Sequence, residues 1–507
     1  VGTRTVQGAL RWTQRLSRGL RRVANLVLGT LIGPVALAAA ALFILNGGAQ
    51  SASPSRGELL LWGVMAVLTV VMLLFADVTS WSLHPLYKWR LSRTFAVVRV
   101  RDAADGATGG GAKAAQLPYE RPLTLSDFAP DRFPGSEPGR PAFPELLVCA
   151  AVNVSDQGTT PPGRSSLSFV FSPLRIGYPD PVVVTRMAPW CRCLKDTAPT
   201  EIYTTAYGPL DIDTAGYEGR VGKRRRRDIT LSAAVAMSGA AIAPAMGKMT
   251  RAPFRFLLAL TNVRLGVWLP NPANMPSGCS PDDGRASIPA NPRQVRLLYE
   301  VMGRHRVRSK FLYVTDGGHI ENLGMLELLR RRCSTIVCLD AAGGSTTRFS
   351  TLGAAIALAA SELNAAIDID PSKMGRQDDG LNACDHICGT IRYADGSDGK
   401  LIYGKAVVTA GSPWDVRAYG VKDAQFPVHP TTDQLFSGEM FDAYQALGRC
   451  VGAACAAAIP DDAASGPVED SGTAPEPVDP SDGDGEPRRP PGVLDVRDVA
   501  TASSELG

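Results

Sequence analysis

The chain has 507 residues, 45% apolar and 20% charged, which suits a globular protein of two or three domains or one large domain with insertions and tails. Its net charge of +4 averages over opposed segments: residues 1–22 carry Arg4, Arg11, Arg15, Arg18, Arg21 and Arg22 and no acid, while residues 461–507 hold twelve acidic and three basic residues, so nucleic acid is not the natural partner. Ten cysteines in this length exclude a disulfide scaffold, and five histidines argue against a metal enzyme.

After the basic segment 1–22, residues 23–45 (VANLVLGTLIGPVALAAAALFIL) form a 23-residue stretch without charge, and residues 59–76 form one of 18. A helix needs roughly 20 apolar residues to cross a bilayer, so the pair predicts a two-helix transmembrane hairpin; the alternative is a buried helical hairpin in a soluble core. The flanks favour the membrane. Arg18, Arg21 and Arg22 precede the first span, Lys88, Arg90 and Arg93 follow the second, and the short loop between holds only Arg56 and Glu58. That distribution places both ends in the cytoplasm, with Trp81, Tyr87 and Trp89 as an interfacial aromatic belt. The expected location is a membrane. The chain begins at Val1 with sequence that reads as protein interior, so a truncated start is the expectation.

Residues 77–144 read as a juxtamembrane segment and linker, since 101–144 is rich in Gly, Pro, Ala and Asp. The GGGAK run at 109–113 has no strand before it and no amphipathic helix after it, which makes it a flexible loop rather than an anion cradle. Residues 145–450 are the expected α/β domain. ELLVCAAVNV (145–154) is a strand-length apolar run, and SLSFVFSPL (166–174) follows as its partner. GKRRRRD (222–228) is either a solvated loop or a contact to anionic lipid, where clustered cations each gain about 1 kcal/mol.

Ser238 lies in ITLSAAVAMSGAAIAPAMGK (229–248) and resembles a nucleophile until its spacing is checked. A nucleophile elbow is G-x-S-x-G, because glycines permit the strained strand-to-helix turn. Here the flanks are Ala236 and Ala240, and the motif occurs nowhere in the chain. Ser238 therefore reads as a packed small residue, with an attacking hydroxyl as the weaker alternative.

Residues 311–344 (FLYVTDGGHIENLGMLELLRRRCSTIVCLDAAGG) have the order strand, turn, helix, strand. This predicts a β-α-β unit that places Asp316 and Asp340 at the carboxyl ends of adjacent parallel strands, where functional groups gather in open α/β sheets. Two glycines directly after Asp316 fit either a tight turn or a carboxylate kept accessible by bare backbone. FSTLGAAIALAASELNAAI (349–367) reads as a helix packed on a sheet, and CDHIC (384–388), with His386 inside it, is the best metal candidate but has the wrong spacing for a zinc site. Residues 451–507 are expected to be a disordered acidic tail, because the stretch from 461 has too little apolar content to offset its ordering entropy.

VTDGGHIENLG (314–324) resembles the Asp-Gly-Gly motif of patatin-like phospholipases, and AMSGAAIAPAMG resembles the small-residue block that precedes it in that family. FVFSPLRIGYP, IRYADGSDGKLIYGKAVVT, AQFPVHPTTDQLFSGEMFDAYQALG and WSLHPLYKWRLSRTF are similar to blocks of its large bacterial membrane-spanning branch, over roughly residues 20–450. The resemblance implies an α/β fold with a patatin-like sheet and flanking helices, set at the inner membrane of a bacterium. It implies a lipid acyl hydrolase, a phospholipase or esterase, that works by a Ser–Asp dyad on membrane lipid, with no cofactor and no metal. Asp316 would be the dyad base, supported by Gly317, Gly318, His319 and Asn322, with His319 as an alternative base left in a supporting role. The family's glycine-rich oxyanion loop and elbow serine are absent from a convincing place here; in the membrane branch they lie before the spans. The serine is accordingly expected upstream of this chain. A non-catalytic membrane scaffold that keeps the fold is the alternative function.

Overall fold

The computed structural model describes residues 77–80, 82–100, 113–116, 123–132, 144–155, 165–178, 212–221, 229–244, 258–259, 262–274, 292–293, 296–430 and 436–460, with isolated positions between 56 and 67. The basic segment 1–22, the span expected at 23–45, that at 59–76 apart from isolated positions, the block at 222–228 and the stretch from 461 lie outside the described residues. Among the described residues no helix is long and apolar enough to cross a membrane. The architecture is mixed α/β, with mainly antiparallel sheets and packed helices, and the described residues fall into two compact units that meet in sequence between Ile320 and Glu321.

The first unit opens with helix α1 (His84–Phe95), whose first turn contains Pro85, a residue suited to helix starts because its missing N–H would have no partner there. A two-stranded ribbon follows, β1 (Val97–Val100) antiparallel to β2 (Lys113–Gln116). The main sheet is built from β3 (Val148–Asn153), β4 (Ser166–Phe171), β5 (Arg175–Gly177), β6 (Ile212–Asp213), β7 (Val267–Pro270) and β8 (Phe311–Asp316), in the order β6-β5-β4-β3-β8-β7. Every neighbouring pair in it is antiparallel. As the two apolar runs predicted, β3 and β4 are partners, with Val148 opposite Phe171.

Alternate residues of the central strands face two different layers. Val148, Ala150 and Val152 of β3 and Leu312 and Val314 of β8 join a core with Phe169, Phe171, Ala233, Ala234 and Met237. The last three belong to helix α3 (Leu231–Ser238), which follows the short α2 (Thr214–Arg220) and starts on a Thr230 cap that accepts from Ala233 N. Its alanines let the helix axis approach the sheet closely. On the other face Phe311, Tyr313 and Trp268 pack with Val78 and Ala243. Burial on both sides explains why β8 is apolar at nearly every position instead of alternating.

The segment at 77–95, placed outside the α/β domain by the sequence, is built into this unit. Val78 is fully buried, its N–H donates to Pro292 O at 3.0 Å, and its carbonyl accepts from Arg264 at 3.2 Å. Arg264 is itself buried against Glu300, a residue of α4 (Arg296–Met302) that accepts from Trp268 Nε1 at 2.6 Å. Truncating one member of a buried pair of this kind costs about 3–5 kcal/mol, because the other charge is then left uncompensated.

The second unit carries a four-stranded sheet in the order β10-β11-β12-β9, formed by β9 (Thr335–Asp340), β10 (Ala366–Asp368), β11 (His386–Arg392) and β12 (Asp398–Lys405). The helices are α5 (Met325–Arg330), α6 (Ser350–Leu363), α7 (Trp414–Lys422) and α8 (Gly438–Ala457). Along α8 the buried residues Met440, Ala443, Leu447, Val451 and Cys455 recur at three- and four-residue spacing, so one face is apolar along the helix. This corrects the boundary of the tail. Residues 451–457 are helical, and Val451 and Cys455 belong to a core with Ile402, Val416 and Phe426.

The β-α-β unit is also corrected. The order strand, helix, strand holds for β8, α5 and β9, but the two strands lie in different sheets of different units. β8 is flanked by β3 and β7, both antiparallel, whereas β9 pairs in parallel with β12, Lys400 opposite Thr335. Asp316 and Asp340 are therefore not neighbours on one sheet edge.

Candidate active site

Asp316 closes β8 and caps the single 3-10 turn Gly317–His319, its Oδ1 accepting from Gly318 N at 2.7 Å. Such an Asx turn fixes the carboxyl through one of its oxygens. Among the described residues no hydrogen bond reaches the second oxygen and no cation pairs with the carboxyl. Asp316 is half-buried, and burial pushes its carboxyl above the usual carboxylate range despite the opposing pull of the Gly318 N–H. A carboxylate raised by desolvation is a stronger proton acceptor than a solvated one.

The glycine after it answers to a neighbouring backbone. A Cβ on Gly317 would lie 2.7 Å from the carbonyl oxygen of Cys149 on β3, a contact side chains do not make. The close approach arises because Ala150 is the ladder partner of Asp316, which brings the β3 main chain under the turn. Cys149 O also accepts from Ser238 Oγ at 2.6 Å. The hydroxyl of Ser238 is thus directed at a backbone carbonyl.

His319 is buried and held on two sides. Its Nδ1 lies 2.9 Å from Thr315 Oγ1, which accepts from Asn153 Nδ2 at 2.9 Å. Burial pushes its pKa down to about 4, partly countered by a backbone hydrogen bond with Ala241. The ring is neutral near pH 7 and ties β8 to β3 and to the chain after α3. Asn322 is exposed and belongs to the second unit.

Tyr87, read as part of an aromatic belt, sits on α1, which packs against α3, and its hydroxyl lies 2.9 Å from where a Cβ on Gly239 would be. Burial and the Asp316 carboxylate together push the Tyr87 phenol up, so it stays protonated. The signal that could have found it is WSLHPLYKWR itself, where Pro85 starts a helix; nothing local shows what that helix packs on.

Asp340, the second aspartate of the motif region, is differently placed. It is buried, and its Oδ2 accepts from Tyr403 at 2.6 Å, Thr351 at 2.7 Å and Lys405 Nζ at 3.1 Å, while Oδ1 accepts from Ala342 N at 2.8 Å. Burial alone would raise its carboxyl; these hydrogen bonds and the Lys405 ammonium outweigh it and hold the group below the usual range. With both oxygens occupied, Asp340 organises its unit rather than accepting protons. In CDHIC, His386 Nδ1 lies 2.8 Å from Asp385 Oδ1, and among the described residues no three such side chains gather as a metal site. Comparison of the chain with protein-family models, with curated proteins and with solved structures finds no match.

Proposed function

We propose that the chain is part of a membrane-anchored, patatin-like lipid acyl hydrolase in which Asp316 is the general base of a Ser–Asp dyad. The observation that carries this reading is the half-buried Asp316 carboxyl with one oxygen fixed by Gly318 and the other without a partner among the described residues. The sequence resemblance around residues 314–324 and the two uncharged stretches near the N-terminus support it. The serine that Asp316 serves comes from outside the described residues, since Ser238 Oγ is engaged by Cys149 O.

In that reaction the serine oxygen bonds to the ester carbonyl carbon while its proton passes to Asp316. Collapse of the tetrahedral intermediate breaks the bond to the alcohol, which leaves with that proton. Water then attacks the acyl-enzyme, gives its proton to Asp316, and the fatty acid departs as the serine oxygen is reprotonated. Substrates are esters of glycerophospholipids or neutral lipids, drawn from the bilayer that the 23–45 and 59–76 spans cross, with both chain ends and the α/β units on the cytoplasmic side. Asp316→Asn in the full-length protein, assayed on a long-chain ester in mixed micelles, tests the assignment: hydrolysis falls by at least about 10²-fold, the lower bound for general-base assistance. A second reading, a non-catalytic membrane scaffold, is favoured by the engaged Ser238 hydroxyl alone, and it is adopted if the full-length protein hydrolyses no lipid ester.

A further inference from the structure

Helix α1 directly follows the segment clamped by Arg264, and it presents Tyr87 to the turn after α3. Gly239 lies against the Tyr87 hydroxyl: a Cβ there would approach it to 2.9 Å. The residue before it, Ser238, reaches Cys149 O, and the same carbonyl abuts Gly317 beside Asp316. This short sequence of contacts brings a phenol hydroxyl to the end of the sheet where the Asp316 carboxyl sits. Charge agrees with the placement, because the Asp316 carboxylate helps to keep the Tyr87 phenol protonated, as burial does. Exposed apolar side chains flank Gly239 in the chain: Val235, whose carbonyl accepts from Gly239 N, is 43% exposed and Ile242 is 48% exposed.

We propose that the Tyr87 hydroxyl is a hydrogen-bond donor to the ester group of a lipid bound at Asp316, so that the helix after the membrane hairpin supplies part of the site, with Val235 and Ile242 alongside the acyl chain. The inference rests on the acyl-hydrolase reading. A protonated phenol cannot serve as a base beside Asp316; what it offers is an O–H aimed at an oxygen whose negative charge grows as the carbonyl is attacked. Removing one such donor costs about 10²–10³-fold in turnover where the donor is dedicated.

The test compares Tyr87→Phe and Asp316→Asn in the full-length protein, with kcat and KM measured on a long-chain ester in mixed micelles. Tyr87→Phe should lower kcat at least about tenfold while KM changes less than about twofold, the split expected when a contact strengthens only in the transition state. A parallel readout needs no turnover: with 13C-labelled tyrosine, the Tyr87 resonance, assigned by its loss in Tyr87→Phe, should titrate at lower pH in Asp316→Asn than in the parent protein. If Asp316→Asn abolishes hydrolysis and Tyr87→Phe leaves kcat unchanged, the role of Tyr87 is wrong and the hydrolase reading stands. If Asp316→Asn retains full activity, the hydrolase reading and the inference built on it both fall. Should Tyr87→Phe fail to fold, fluorotyrosine placed at position 87 alone supplies the signal by fluorine resonance in the parent and Asp316→Asn proteins. A titration at that position unmoved by Asp316→Asn overturns the placement.

Discussion

Replacing Gly317 by alanine tests why two glycines follow Asp316. The added Cβ would stand 2.7 Å from Cys149 O, 3.2 Å from Cys149 C and 3.6 Å from Ala150 Cα. Relief requires β3 and the turn to separate by roughly half an ångström, and overpacking of this kind costs about 1–3 kcal/mol. The movement also loosens the 2.6 Å hydrogen bond from Ser238 Oγ to the same carbonyl, worth about 1 kcal/mol. Against this, alanine narrows the unfolded ensemble and returns about 0.4–1 kcal/mol. The net expectation is a loss of about 1–3 kcal/mol. Urea unfolding followed by tryptophan fluorescence reads it, since Trp268 is buried in this unit. Gly353→Ala, within α6 of the second unit and read by thermal melting of that unit, is the control of opposite sign: a Cβ there meets nothing within 4 Å, and a gain of up to about 1 kcal/mol is expected. A Gly317→Ala protein within about 0.5 kcal/mol of the parent would refute the close-approach argument, leaving the glycine as turn chemistry alone.

Ser238→Ala should cost about 1 kcal/mol of stability through the lost bond to Cys149 O, and its effect should be less than additive with Gly317→Ala because both act on one carbonyl. Acid should destabilise the first unit through its buried histidines: burial holds His84 down to about 3 and His319 down to about 4, both below the 6.5 of the unfolded chain. The unfolded chain then binds protons that the folded one excludes, so stability present above pH 6.5 is lost as pH falls towards 4 and 3, and His319→Gln should flatten the melting profile between pH 6.5 and 4. In the second unit Lys405→Met leaves the buried Asp340 carboxylate without its cation, and thermal melting should show a loss of about 3–5 kcal/mol.

The strands at 148–153, 166–171, 311–316 and 335–340 are legible in the sequence as apolar runs, and α6 as a helix, because burial sets composition locally. Partnership is not. β8 is apolar from Phe311 to Val314 because it is buried on both faces, while in β9 Ile336 and Cys338 are buried and Val337 and Leu339 are 37% and 54% exposed. Apolar residues on its exposed face hide the period of two, so the two strands look alike and read as members of one sheet. The partner of β9 is β12, some sixty residues on, and no local pattern announces that pairing. At the site, spacing shows that Ser238 lacks the flanking glycines of a nucleophile elbow, but its bond to Cys149 O is not legible locally. That Gly317 faces Cys149 O, and that Tyr87 faces Gly239, depend on which main chains meet. Tyr87 reads as an interfacial aromatic because its neighbours Trp81 and Trp89 share that chemistry.

The central claim is that Asp316 accepts the proton, and one paired measurement bears on it most directly: ester hydrolysis by full-length Asp316→Asn and Ser238→Ala proteins of verified fold. Asparagine keeps an oxygen for the Gly318 N–H, so the turn survives, and removal of a carboxyl whose ionisation burial disfavours should not lower stability at pH 7. Asp316→Asn should lose at least about 10²-fold in turnover while Ser238→Ala retains substantial activity. Full activity in Asp316→Asn together with none in Ser238→Ala would contradict the claim.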